Sequence, residues 1–188
     1  MSQSNENAQR ENLKRAMQDD LNRSVDERVN RYLEIVHQWV IPAHHFANAS
    51  AECIYLYRDG YFLSAVMVSQ SVTEGVWRFV LDRNNIQYDP DRETQENDLV
   101  QRTILSRACA DAFGRIFHSF RNDVHHMNPS VRKVPFREIA RRNLVDLATI
   151  EREIFAVTIG APGRMVPVHR QYWDIGTDGT TSVFLRNT

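Results

Sequence analysis

Arg121, Asn122, His125 and His126 stand together near the end of a long amphipathic stretch. An imidazole titrates near neutrality and serves as a general acid or base. A guanidinium is a planar fork that holds a phosphate through two hydrogen bonds and stabilises charge developing on it. The pair is therefore suited to phosphodiester chemistry without a metal or cofactor, and none is expected. On a regular helix, residues four apart share a face and residues five apart point about 140° away from each other. Arg121 then shares a face with His125, and Asn122 with His126.

The elements that must position these residues read mostly as helices. Residues 1–23 are polar with little apolar periodicity and are expected to form an N-terminal arm, mobile or frayed. Ser24 and Glu27 read as a capping box that opens a first helix, which Pro42 ends at Ile41. A second helix is expected over residues 46–57, followed by an Asp59-Gly60 turn. The stretch 61–81 carries a nearly unbroken apolar helical pattern and should be the central helix. Glu74 lies within it, and is read as a surface group rather than a buried one in need of a partner. A polar loop spans 86–98, a long amphipathic helix is expected over 98–120, and a last helix over 136–157 with Gly160 closing it.

The tail changes character. Residues 165–175 and 180–186 are β-rich, and the intervening Gly176-Thr177-Asp178-Gly179 is a hairpin signal. The expected fold is mainly α, a bundle of about five helices spanning 24–160 with a C-terminal β-hairpin appendage over 161–188.

Composition sets outer limits. The 188 residues suffice for one domain, and a net charge of −1 gives no global basic field. The N-terminus lacks the apolar run of a signal peptide and no apolar run is long enough for a membrane span. Cys53 and Cys109 form no paired motif, so a reducing, cytoplasmic setting is expected. Of the 23 basic residues 21 are arginine, the better phosphate partner, although codon usage produces the same skew.

Helices arranged in this way, with Arg121-Asn122 and His126 late in the fourth, resemble the HEPN superfamily of small helical domains. The stretch Tyr57-Arg58-Asp59-Gly60-Tyr61-Phe62 with Ala65, continuing to Glu74, is similar to the approach to that family's central helix. The resemblance implies a HEPN-like bundle, often homodimeric, with a metal-independent RNase site shared between two copies. Spacing alone is weak support: chance supplies about 0.8 Arg-to-His matches at each allowed offset. Arg31 to His37 and Arg164 to His169 match as well, one within the first helix and one across Pro167. The family pattern favours His126, oriented by Asn122, with Arg121 reaching the same cleft; helix geometry favours His125.

The resemblance further implies RNA cleavage by the RNA's own 2′-hydroxyl, a toxin or defence role, and restraint by an inhibitory protein partner. The alternative is a catalytically silent HEPN-like module that binds RNA, nucleotide or a protein. Some toxins of this kind are silenced by nucleotide transfer to a tyrosine two residues past the histidine, where this chain has Asn128. Arg132, Lys133, Arg137 and Arg141 form a basic run read as an RNA-binding approach, or else as a solvated helix face. His44-His45 is a weak metal fragment, His118 a candidate cleft residue, and Tyr172 and Trp173 either stack on bases or anchor packing.

Overall fold

The computed structural model describes residues 3–160 and 164–186. Positions 1 and 2 of the expected arm, and 161–163, 187 and 188 of the expected appendage, lie outside the described residues. The chain is mainly helical, in the order α1 (Gln3–Leu33), β1 (Val40–Pro42), α2 (Ala47–Arg58), α3 (Phe62–Arg83), α4 (Arg92–Gln101), α5 (Arg107–Phe117), α6 (Arg121–His125), α7 (Phe136–Ile154), β2 (Val157–Gly160), β3 (Arg164–Pro167) and β4 (Val183–Leu185). Among the described residues no helix is long and apolar enough to cross a membrane.

The central helix is the one the apolar pattern marked. α3 packs against α2, α5 and α7, and buries Val66, Val72, Val76, Trp77 and Val80. Trp77 is fully buried, edge-on to Phe113 at 5.0 Å between ring centroids. Its indole N–H donates to Gln95 Oε1 at 3.2 Å, the polar outlet that a buried indole needs. The Asp59-Gly60 turn forms, with Gly60 at φ +88°.

Several expectations are corrected. Ser24 does not cap a helix: α1 is already helical from Gln3, and the Ser24 hydroxyl donates back to Asp20 O at 2.9 Å. α1 stops at Leu33, eight residues short of Ile41, and Val40–Pro42 is a strand. The expected single helix over 98–120 is two helices and a break. Thr103 takes φ +60°, and Ser106 then caps α5 by accepting from the Cys109 N–H at 3.1 Å. A second left-handed residue, Phe120 at φ +55°, separates α5 from α6. α7 ends at Ile154, and Gly160 belongs to β2 rather than to a helix terminus.

Among the described residues the tail takes part in two antiparallel strand pairs. β2 pairs with β3, so position 160 falls inside a hairpin and not at the edge of an appendage. The Gly176–Gly179 turn is present, with Ile175 bridging Thr181, but β4 continues across the molecule to pair with β1. Arg186 follows β4 into the interior. There it donates to Glu151 Oε1 at 2.6 Å, to the Ser50 hydroxyl, and to Gln38 O at 3.0 Å. This buried pair ties the tail to α7 and α2.

Candidate active site

α6 is a five-residue helix lying against α3. The two interact by register. Arg121 and His125, four apart on α6, meet Glu74 and Gln70, four apart on α3. Arg121 Nη1 lies 3.4 Å from Glu74 Oε2, and His125 Nε2 lies 3.2 Å from Gln70 Oε1. Asn122 and His126 occupy the other face. Both are exposed, and their shared bond is the backbone one from His126 N–H to Asn122 O at 3.2 Å. Arg121 therefore comes together with His125, not His126, and the Asn122 side chain does not orient the His126 ring.

The partner of His125 is fixed from below. Gln70, 1% exposed, donates through Nε2 to Ser119 O at 2.8 Å and Ser119 Oγ at 3.0 Å. The Ser119 hydroxyl also accepts from Asn143 Nδ2 at 3.2 Å and donates to Ile116 O at 2.6 Å. Because the Ser119 carbonyl only accepts, the Gln70 amide nitrogen must face it, leaving Gln70 Oε1 for the imidazole. That oxygen only accepts too, so His125 Nε2 is the donor. In the neutral ring Nδ1 then keeps its lone pair, and no group among the described residues bonds to it. A buried amide thus sets which nitrogen of an exposed imidazole is basic.

Glu74 is not a surface group as expected. Its side chain is 15% exposed and accepts from Arg78 Nε at 2.9 Å and from Arg92 Nη2, besides Arg121. Burial would raise its pKa, but the hydrogen bonds from Arg78 and Arg92 and the charge of Arg121 outweigh that and hold it below the usual glutamate value. Three guanidinium groups on one carboxylate exceed its charge, although Glu96 also interacts with Arg92. Arg78 and Arg121 remain 65% and 44% exposed, so that excess charge faces solvent, and Arg121 shares its helix face with His125. Arg92 is held inward, stacked over the Phe117 ring at 3.7 Å.

The other expected site residues are dispersed. Arg132 and Lys133 lie exposed on a 3-10 turn after α6, and Arg141 is exposed on α7. Arg137 is committed to Glu34 at 3.3 Å, beneath which Tyr57 also donates to Glu34. Arg137 and Arg141 share a cleft of about 320 Å³ with Glu34 and Glu138, whose charges offset theirs. His118 lines a separate groove with Glu93, Glu96 and Asp111. His44 packs on Phe79 at 4.3 Å and bonds Tyr172 O at 3.1 Å, a structural role. Tyr172 and Trp173 are 2% and 3% exposed, so both anchor packing and neither offers a stacking surface. Among the described residues no three His, Cys, Asp or Glu gather to hold a metal ion.

Gln70, Ser119 and Asn143 did not emerge from sequence reasoning. The available signal was the pair Gln70 and Glu74, polar residues at helical spacing inside the most apolar helix.

No family model matches the chain, and neither the curated proteins nor the solved structures hold a match to it.

Proposed function

We propose that the protein is a metal-independent endoribonuclease with a HEPN-like helical fold, acting as a homodimer in a toxin or defence role under an inhibitory partner. The observation that supports this most is the shared face of α6. It carries Arg121, a half-exposed guanidinium within a cluster of excess positive charge, and His125, an imidazole whose Nε2 is occupied and whose Nδ1 is open. Arg121 binds the scissile phosphate and stabilises its added negative charge. His125 Nδ1 takes the proton from the 2′-hydroxyl. The 2′-oxygen bonds to phosphorus, the bond to the 5′-oxygen breaks, and that oxygen takes up a proton. The products are a 2′,3′-cyclic phosphate and a 5′-hydroxyl. A second His125 across a dimer cleft supplies the acid that one site lacks. His126 is the family-pattern alternative for the same role.

The test is cleavage of mixed RNA in excess EDTA by wild type, Arg121→Ala, His125→Ala and His126→Ala, each checked for folding by circular dichroism. Cutting by wild type and His126→Ala, with loss in the other two, supports the reading. Loss on His126→Ala alone transfers the role to that ring. RNA binding without cleavage in every form would identify the silent module instead.

A further inference from the structure

The tail carries two arginines whose charge its own carboxylates do not meet. From 157 to 186 the acidic residues are Asp174 and Asp178. Asp174 is held by Arg83 and lies 3.6 Å from His44. Asp178 turns in on its own loop, where Oδ1 accepts from the Thr180 N–H at 2.9 Å and from the Thr180 hydroxyl at 2.7 Å. Of the tail's arginines, Arg186 is committed to Glu151. Arg164 and Arg170 are exposed, and neither forms an ion pair among the described residues.

These two arginines meet at one place. A cleft of about 220 Å³ opens between β3 and the Gly176–Gly179 turn, and both line it. Arg164 enters from the first position of β3, and Arg170 from the short 3-10 turn that follows the strand. Val166, Pro167 and Ile175 supply apolar wall, and Thr181 lines the cleft from its bridge to Ile175. The Thr181 hydroxyl is buried and has no hydrogen-bond partner among the described residues. A buried polar group in that state calls for a partner from outside the chain. Arg164 donates to Gly179 O at 3.4 Å, a long bond that leaves most of its guanidinium donors unused. Gly179, at φ +80°, makes that approach possible, because a Cβ there would stand 3.1 Å from Arg164 Nη2.

The lining specifies the chemistry of an occupant. Two guanidinium groups facing one small cleft repel each other, and an oxyanion held by both relieves the repulsion. The apolar wall favours an anion that carries an apolar body over a bare inorganic ion, since only the former removes that wall from water. The volume lies below the roughly 300–1,000 Å³ of sites for drug-sized ligands, so the body is short. Tyr172 and Trp173, 2% and 3% exposed, lie between Arg170 and Ile175 in the chain and anchor that segment to the bundle. The site is thus fixed on packed structure.

We propose that the cleft between β3 and the Gly176–Gly179 turn binds a small molecule bearing one terminal oxyanion, a carboxylate or a phosphate, on a short apolar body. Arg164 and Arg170 hold the oxyanion, Thr181 satisfies its hydroxyl on the same ligand, and Val166, Pro167 and Ile175 cover the body. The cleft contains none of the candidate active-site residues, and the inference does not rest on the nuclease reading.

Titration of the full chain, followed by amide NMR at Val166, Gly179 and Thr181, tests it. Hexanoate and phenyl phosphate are the two anionic probes; acetate and inorganic phosphate lack the body, and hexanol lacks the charge. Saturable shifts are expected with at least one anionic probe, and the tighter of the two identifies carboxylate or phosphate as the group preferred. The bodiless ions and hexanol are expected to bind at least about tenfold more weakly. Arg170→Gln and Arg164→Gln should each weaken the preferred probe at least about tenfold, the loss of one charge-assisted contact, with the remaining amide signals unmoved. No saturable shift with either anionic probe, equal binding of the bodiless ions or of hexanol, or unchanged affinity in both arginine variants would overturn the proposal.

Discussion

Two arginine–carboxylate assemblies sit in this molecule, and they are built to opposite rules. Glu151 and Arg186 are a single pair, with side chains 1% and 2% exposed; Ser50 and the Gln38 carbonyl make further hydrogen bonds with the pair, while Arg186 Nε is left without a partner among the described residues. Glu74 serves three guanidinium groups, two of which reach solvent. In the first, charge is balanced and water is excluded, so the pair fixes the path of the chain. In the second, charge is left over at the surface, on a helix face shared with an imidazole that has an open nitrogen. Stoichiometry and exposure together separate a fastening from a candidate site.

The comparison breaks most readily at its buried end. Glu151→Ala leaves the Arg186 charge buried and unpaired, and is expected to cost about 3–5 kcal/mol in urea unfolding. Replacing both partners, Glu151→Leu with Arg186→Met, is expected to recover most of that loss, because an apolar pair strands no charge. A double variant as unstable as the single one would show that the hydrogen bonds to Ser50 and Gln38, not the charge, dominate.

At the open site the largest effect should be on rate. Gln70→Leu removes the acceptor that orients His125 while leaving Arg121 and Glu74 in place. RNA cleavage is expected to fall about tenfold to a hundredfold, with smaller change in RNA affinity. Glu74→Gln is expected to cost about 1–3 kcal/mol of stability, since Arg78 and Arg121 keep access to water but Arg92, held inward, loses its carboxylate. It should also steepen the salt dependence of RNA binding by freeing guanidinium groups for phosphate. The pH dependence has a definite sign. The folded pKa of Glu74 is lowered, so its contribution is complete above the ordinary glutamate value and is lost as pH falls through the lower folded one. Glu74→Gln should flatten that acid limb.

His37 gives the smallest effect, in a neighbouring pH range. Burial is the main cause that lowers its pKa, with a backbone bond to Gln38 O opposing. Folding therefore favours the neutral ring, and stability should decline as pH drops below the ordinary imidazole value of 6.5. A His37→Gln variant, followed by thermal unfolding between neutral and mildly acidic pH, should lose that slope.

The sequence was most legible where a single period ran unbroken. α2, α3 and α7 follow from helical spacing because each buries a broad apolar face. The 98–120 stretch misled because its two breaks carry no glycine or proline. Thr103 and Phe120 adopt left-handed backbone that local propensity disfavours, and both are exposed, so no turn residue or apolar pattern marks either break. β4 was visible as a strand, but its partner lies at the other end of the chain, and the Gly176 turn pointed to a nearer one. Within the site, four-residue spacing foretold that Arg121 shares its face with His125. The support beneath that face was not visible, because one sequence does not tell a buried glutamine from a surface one.

Phe120 at the start of α6 and Met127 just after it both hold positive φ, so the short helix carrying Arg121 and His125 is a segment bounded by two strained joints. Five residues cannot sustain a helix alone. The order of this face is lent to it by the buried Val124 and by the Gln70 and Glu74 contacts. Among the described residues, α6 is thus placed to open as a unit while the bundle stays closed. Amide exchange across α6 would then report the free energy that holds the site in register, separately from that which holds the fold.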